Sequence, residues 1–217
     1  SKRRSRTMTP QEIEDMFTNA TGEFAFARWG RPIAPVVFGV DDASVAVVKS
    51  AIEATTSLVK LDTAETDPEL GSNFMWLFLR DWQELLDTPD LNQLIPELAN
   101  LVPRLKAGKA TSYRMFRYDN DGAIQACFVF LRMDKAMAAL PAEELALSQM
   151  VQSLLTWGPK AFATKSPLAR LENGTSVLRP DLTSLLRVAY DRVLPAASTD
   201  PILAMRMSPR TELLDGA

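Results

Sequence analysis

The chain has 217 residues, of which 47% are hydrophobic and 24% charged, with a formal net charge of −3. That is enough chain for one domain, at most two, with its own core; the negative balance argues against a nucleic-acid binder, and no run of about twenty apolar residues is present to span a membrane. There is no histidine and only one cysteine, Cys127, which excludes Ser-His-Asp and Cys-His catalysis, His-ligated zinc and a thiolate cluster within this chain, so that a hard-metal site would have to be built from carboxylates and carbonyls.

The opening SKRRSR is basic and polar. It is expected to be a disordered end, the competing reading being the flank of a removed targeting segment. Residues 9–19 predict a short helix with Thr9 as N-cap, Pro10 at the first helical position and Glu12 completing a capping box. Residues 24–40 read as extended chain whose prolines interrupt it before a strand at 36–40. Asp41 and Asp42 cap a long helix over 43–61 with a stripe of Val45, Val48, Ile52, Leu58 and Val59. Residues 62–72, DTAETDPELGS, carry four acidic side chains but no recognisable calcium spacing, and read as a solvated loop.

NFMWLFLR at 73–80 is apolar nearly throughout, as suits a strand buried on both faces. Residues 81–105 predict two short helices broken by Pro89, Pro96 and Pro103. Residues 112–133 predict a hairpin turning at DNDG, residues 119–122, which lacks the acidic spacing and the final Glu of a calcium loop. Its second strand spans 126–131, with Cys127 as a small core residue. Residues 160–175 read as irregular, residues 178–195 as a closing helix with Leu182, Leu185, Leu186, Ala189 and Tyr190 inward, and residues 196–217 as a weakly periodic tail.

The segment around which these elements are placed is PAEELALSQMVQSLLTWGP, residues 141–159. Pro141 suits a first helical turn, Glu143 and Glu144 suit its N-terminal dipole, and Gly158 and Pro159 are a stop signal. At about 100° per residue, Ala146, Leu147, Met150, Val151, Leu154, Leu155 and Trp157 share one arc, and Ser148, Gln149, Gln152, Ser153 and Thr156 share the other. No charged residue occurs between Leu145 and Gly158. A polar but uncharged helix face predicts contact with protein, a closed cleft or a partner rather than bulk water.

The order of elements resembles the catalytic domain of the zincin metalloproteases, particularly the metzincins, in which a sheet feeds a helix bearing HExxH. LSQMVQSLL at 147–155, SPLAR at 166–170 and LRPDLTSLLRVAYD at 178–191 resemble more specifically a domain-of-unknown-function family of bacterial proteins assigned as envelope lipoproteins, itself similar to a degenerate metzincin. That resemblance implies an α+β (α/β-like) fold, a zincin-like domain with a mixed sheet of four or five strands and long helices packed on it. It divides the chain into a basic and helical extension (1–22), a single domain (23–195) and a tail (196–217).

In the same frame Ser148 falls at the first zinc-binding histidine, Gln149 at the catalytic glutamate, Gln152 at the second histidine, and Gly158 near the third ligand. Neutral Ser and Gln cannot replace two imidazoles, and Gln149 cannot take a proton from water. The expectation is therefore a catalytically inactive protein with no cofactor and no metal. Its vestigial cleft, lined by Ser148, Gln149, Gln152 and Thr156, would hydrogen-bond a peptide or protein partner. The resemblance places it in the bacterial envelope, although the sequence shows no signal peptide or lipid-attachment cysteine. Two alternatives stand beside it: an assembly protein whose cleft is filled by its own side chains, and a hydrolase using carboxylates among Asp134, Glu143, Glu144 and Asp181.

Overall fold

The computed structural model describes residues 7–215, so the basic segment at the start of the chain lies outside the described residues. The elements run α1 (Pro10–Met16), β1 (Phe26–Ala27), β2 (Pro35–Phe38), α2 (Asp42–Val59), β3 (Phe74–Leu79), α3 (Gln83–Asp87), α4 (Leu91–Leu94), α5 (Leu98–Ala107), β4 (Ser112–Tyr118), β5 (Ile124–Arg132), α6 (Lys135–Ala138), α7 (Ala142–Leu154), β6 (Leu168–Arg170), β7 (Ser176–Leu178), α8 (Pro180–Ala189), β8 (Ala197–Ser198) and α9 (Ile202–Asp215). This is a mixed α+β fold. Its main sheet has four strands in the order β2-β3-β5-β4, the first three parallel and β4 antiparallel to β5.

The sheet separates two cores, because alternate residues of each strand point to opposite faces. Phe74, Trp76, Cys127, Val129 and Leu131 face one core, which also takes Val48 and Ile52 of α2, Met150 and Leu154 of α7, and the inward side of α8. Leu77, Leu79, Phe128 and Phe130 face the other, under Leu85, Leu91, Leu98, Leu101 and Leu105 of α3 to α5. A strand buried on both faces must be apolar throughout, which is why β3 shows no alternation. The Trp76 indole N–H is buried without a hydrogen-bond partner. That orphan costs about 1–3 kcal/mol, and the ring it belongs to offsets it, since removing a buried Trp costs about 3–5 kcal/mol.

Capping follows the sequence signals at several ends. Thr9 accepts from Glu12 N, Asp41 accepts from Ser44 N, and Asp134 accepts from Met137 N. Other segments differ from expectation. Residues 81–105 form three helices, not two, and Pro103 lies inside α5 rather than ending it. Burial of Leu98, Leu101, Val102 and Leu105 along one side of α5 outweighs the lost backbone bond. The stretch expected to be irregular carries β6, which pairs antiparallel with β7 just beyond it. Most of the 62–72 loop is solvated as expected, but it is tied at one point: buried Asp67 accepts from the backbone of Glu69 and Leu70 and from Asn73 Nδ2, and pairs with Arg31 at 3.4 Å. Its burial opposes ionisation, but those donors together outweigh it and hold the carboxyl below its usual range.

The segments read as an extension and a tail join the first core. Ile13, Met16 and Phe17 pack there with Leu203, Ala204 and Met207 of α9, and β8 pairs with β1. Buried Ser208 donates to Met8 O at 2.7 Å, fastening α9 to the segment that leads into α1. The polar positions Ser208 and Thr211 lie on the buried side of α9, with Pro209 inside the helix, so its sequence shows little amphipathic period.

The central helix stops at Leu154, earlier than the Gly-Pro pair suggested, and Leu155 turns to extended backbone bridged to Arg28. Its last carbonyls find aromatic donors. Trp157 Nε1 donates to Val151 O at 3.0 Å, Trp29 Nε1 to Ser153 O at 2.9 Å, and the Tyr190 hydroxyl to Leu154 O. Gly158 has a different task. Its N–H donates to Met16 O at 2.7 Å, and a Cβ there would lie 1.9 Å from Thr18 O. The Tyr190 hydroxyl also accepts from Trp29 N at 3.2 Å, so Tyr190→Phe should leave two buried backbone groups short of a partner. We expect a loss of about 1–3 kcal/mol in urea denaturation, whereas a loss under about 0.5 kcal/mol would show that this cap contributes little.

Candidate functional site

A cleft of about 440 Å³ opens between β4, α7 and the segment that follows α7, lined by Arg114, Phe116, Gln152, Trp157, Gly158, Pro159, Phe162 and Ala163. Arg114 and Phe116 are two apart on β4, so the pleat points both toward α7. Trp157 is fixed by three contacts: its N–H bond to Val151 O, a stack on Phe17 at 5.0 Å and 16°, and an edge contact with Phe162 at 5.0 Å. These rings give the cleft a rigid apolar wall.

Its floor is polar. Arg114 Nε donates to Ser153 Oγ at 2.8 Å, and Nη2 donates to Gln149 Oε1 and, at 3.5 Å, to Gln149 O. Ser153 Oγ in turn donates to Gln149 O at 2.7 Å. Gln149 is only 7% exposed. Among the described residues no carboxylate forms an ion pair with Arg114. Burial pulls the guanidinium below its ordinary pKa, with a smaller opposing effect from Cys127, yet an arginine remains protonated in any protein site. A cation therefore sits at the base of the cleft, held by neutral acceptors alone. Nη1 donates to no described residue, and it is not among the buried side-chain atoms left without a partner.

The four residues expected to share the cleft are divided by the structure. Gln149 lies beneath it, bound to Arg114. Gln152 lines it, its amide bonded within its own helix to Ser148 Oγ at 3.2 Å and Ser148 O at 3.3 Å. Ser148 is half-buried beside Gln152 and outside the lining. Thr156 belongs to the scaffold: its hydroxyl accepts from Ala27 N at 2.8 Å and donates to Ala25 O at 3.1 Å. Arg114, Phe116 and Phe162 were missed. The alternation of SYRMFRY would have placed Arg114 and Phe116 on one strand face, but nothing in the sequence says which helix that face meets.

No group of three or more His, Cys, Asp or Glu among the described residues is placed to hold a metal ion. The candidate carboxylates are dispersed. Asp134 caps α6, Asp181 forms a salt bridge with Arg179 at 2.9 Å, Glu144 lies 3.8 Å from Arg170, and Glu143 borders a shallow cavity between α2 and α7. A larger groove of about 890 Å³ carries Lys60, Arg187, Arg192 and Arg210, with Asp191 beside Arg210 at 3.8 Å. Lys60 and Arg187 stand at the C-terminal ends of α2 and α8, where cations offset helix carbonyls. Cys127 lies fully buried on β5, opposite Phe116 of β4, and burial, outweighing Arg114 and Ser153, pushes its thiol up to about 12.

Comparison of the chain with protein-family models, with curated proteins and with solved structures found no match.

Two outcomes check this geometry. Gln149→Leu deprives a half-buried cation of one of its three acceptors and should cost about 2 kcal/mol, while Gln152→Leu, at the rim, should change stability by less than about 1 kcal/mol; equal effects in urea denaturation would contradict the division. Cys127, held as the thiol, should resist alkylation at pH 8 until the protein unfolds. Because its folded pKa is raised, the stability linked to this group is complete below about pH 9, its ordinary value, and is lost as pH rises toward about 12.

Proposed function

We propose that this chain is a catalytically silent, zincin-like binding protein of the bacterial envelope that holds a peptide or protein partner in the cleft between β4 and α7. The observation that carries this reading is the juxtaposition of a free sheet edge with an open, apolar-walled cleft. β4 is the last strand of its sheet, and no described strand or bridge pairs with its outer side. An extended peptide can add to such an edge through main-chain hydrogen bonds, with pockets beside it supplying selectivity. An antiparallel edge strand next to α7 is consistent with the zincin frame, in which the helix positions of Ser148, Gln149 and Gln152 would carry ligands and base. Here Gln149 Oε1 is engaged by a guanidinium and Gln152 Nε2 by its own helix, and neither neutral amide is a base that could take a proton from water. An unfilled volume of about 440 Å³ favours binding over a cleft plugged by its own side chains.

The test is a screen of the isotope-labelled protein against an array of random dodecapeptides, followed by amide-shift mapping of the binders. Binders should perturb residues 112–118 and 157–163 and should be recovered uncleaved. Absence of binders, perturbation confined to other surfaces, or turnover of the peptides would overturn the reading.

A further inference from the structure

We propose that the cleft over Arg114 takes the C-terminal carboxylate of a polypeptide, with an aromatic or aliphatic last side chain against Phe116, Trp157 and Phe162. This rests on the reading of the cleft as a peptide site and names the part of the peptide it selects.

Charge complementarity carries the argument. Arg114 is a partly desolvated cation whose described partners are a hydroxyl, an amide oxygen and a backbone carbonyl, all neutral. A buried charge without a counter-charge is costly, and an anion entering from the cleft would relieve that cost while shedding its own water. The existing bonds use Nε and Nη2, so Nη1, with two N–H groups, is the donor left for it. The ring walls define what accompanies the anion. They place three aromatic side chains beside one cation, an arrangement suited to a carboxylate carried on an apolar body. Gln152 adds an amide oxygen that no described residue engages, since its bonds to Ser148 run through Nε2; that oxygen can accept the last peptide N–H. A chain end fits better than an acidic side chain, because it brings carboxylate, N–H and apolar side chain from one residue, within the reach of Arg114, Gln152 and the rings together.

The experiment compares one set of random dodecapeptides ending in Phe, Leu or Val in two forms, free acid and C-terminal amide, against the wild-type protein. Calorimetry should show the free acids binding at least tenfold more tightly than their amides. Addition of N-acetyl-phenylalanine should displace them, and N-acetyl-phenylalaninamide should not. Changing the ligand leaves the fold untouched, so the result does not depend on a variant surviving. Arg114→Gln should abolish the difference between acid and amide, with thermal melting confirming that it folds. Phe162→Ala should weaken both forms together. Equal binding of acid and amide would overturn the carboxylate proposal while leaving the peptide-binding reading standing. Binding of neither form would overturn both.

Discussion

The structure depends on how the C-terminal end of α7 is closed. A helix leaves its last carbonyls without helical partners, and a buried end must find donors elsewhere. Here the donors are Trp157, Trp29 and Tyr190, drawn from the segment beyond the helix, from the strand-like stretch after α1, and from the end of α8. Each ring contributes one polar hydrogen and a large apolar body, so the polar need is met without bringing charge or water into the core. Closing this one end joins three parts of the chain, one of which, at Trp29, lies more than a hundred residues before the other two. Arg28, next to Trp29, extends the closure by donating to Ala189 O, Asp191 O and Leu194 O. The ends of α7 and α8 are thus fixed by consecutive side chains of one strand-like segment.

That closure also sets the cleft. Because α7 yields to extended backbone at Leu155, the chain swings away with Trp157 aimed back over the helix and stacked on Phe17. A helix continued to Trp157 would have carried that ring around on the helical period. Gly158 then passes close to the end of α1, where a Cβ would strike Thr18 O. The wall of the candidate site therefore comes from a backbone change imposed by distant donors, and its floor from an arginine on a strand facing the same helix. Ser148 and Thr156 lie outside its lining, Ser148 bonded to Gln152 and Thr156 to the backbone of Ala25 and Ala27.

The electrostatics of the cleft follow from what is absent around Arg114. Other described arginines that are drawn from solvent have a carboxylate or several carbonyls at hand, as Arg31 has Asp67 and Glu69, Arg179 has Asp181, and Arg28 has three carbonyls. Arg114 is held by Ser153 and Gln149, two neutral residues of the uncharged stretch of α7. Neutral partners fix the guanidinium plane without cancelling its charge. A carboxylate at position 149 would have completed an ion pair and silenced the site electrostatically, whereas glutamine leaves a positive field at the base of an apolar-walled cleft.

The elements with strong local signals were legible in the sequence: the capped helices α1 and α2, the doubly buried strand β3, the hairpin of β4 and β5, and the helical character of 142–154. Each rests on short-range physics, namely a capping oxygen, a turn residue or an apolar period, which acts within a few residues. The uncharged arc of α7 was also legible as a face that avoids bulk water, and Gln149 and Ser153 are indeed buried. What the sequence left open lies between elements. The end of α7 was misplaced because its determinants, Trp29 and Tyr190, sit far along the chain. Helix α9 shows no clear amphipathic signal because its buried side includes Ser208 and Thr211, whose hydroxyls bond to Met8 O and Ser208 O in the folded chain. Arg114 was passed over because alternation assigns a strand face without saying what will cover it. Local pattern determined which segments would be helices and strands; tertiary packing alone decided where the central helix stops and which cation it meets, because both follow from hydrogen bonds whose partners the fold must first bring together.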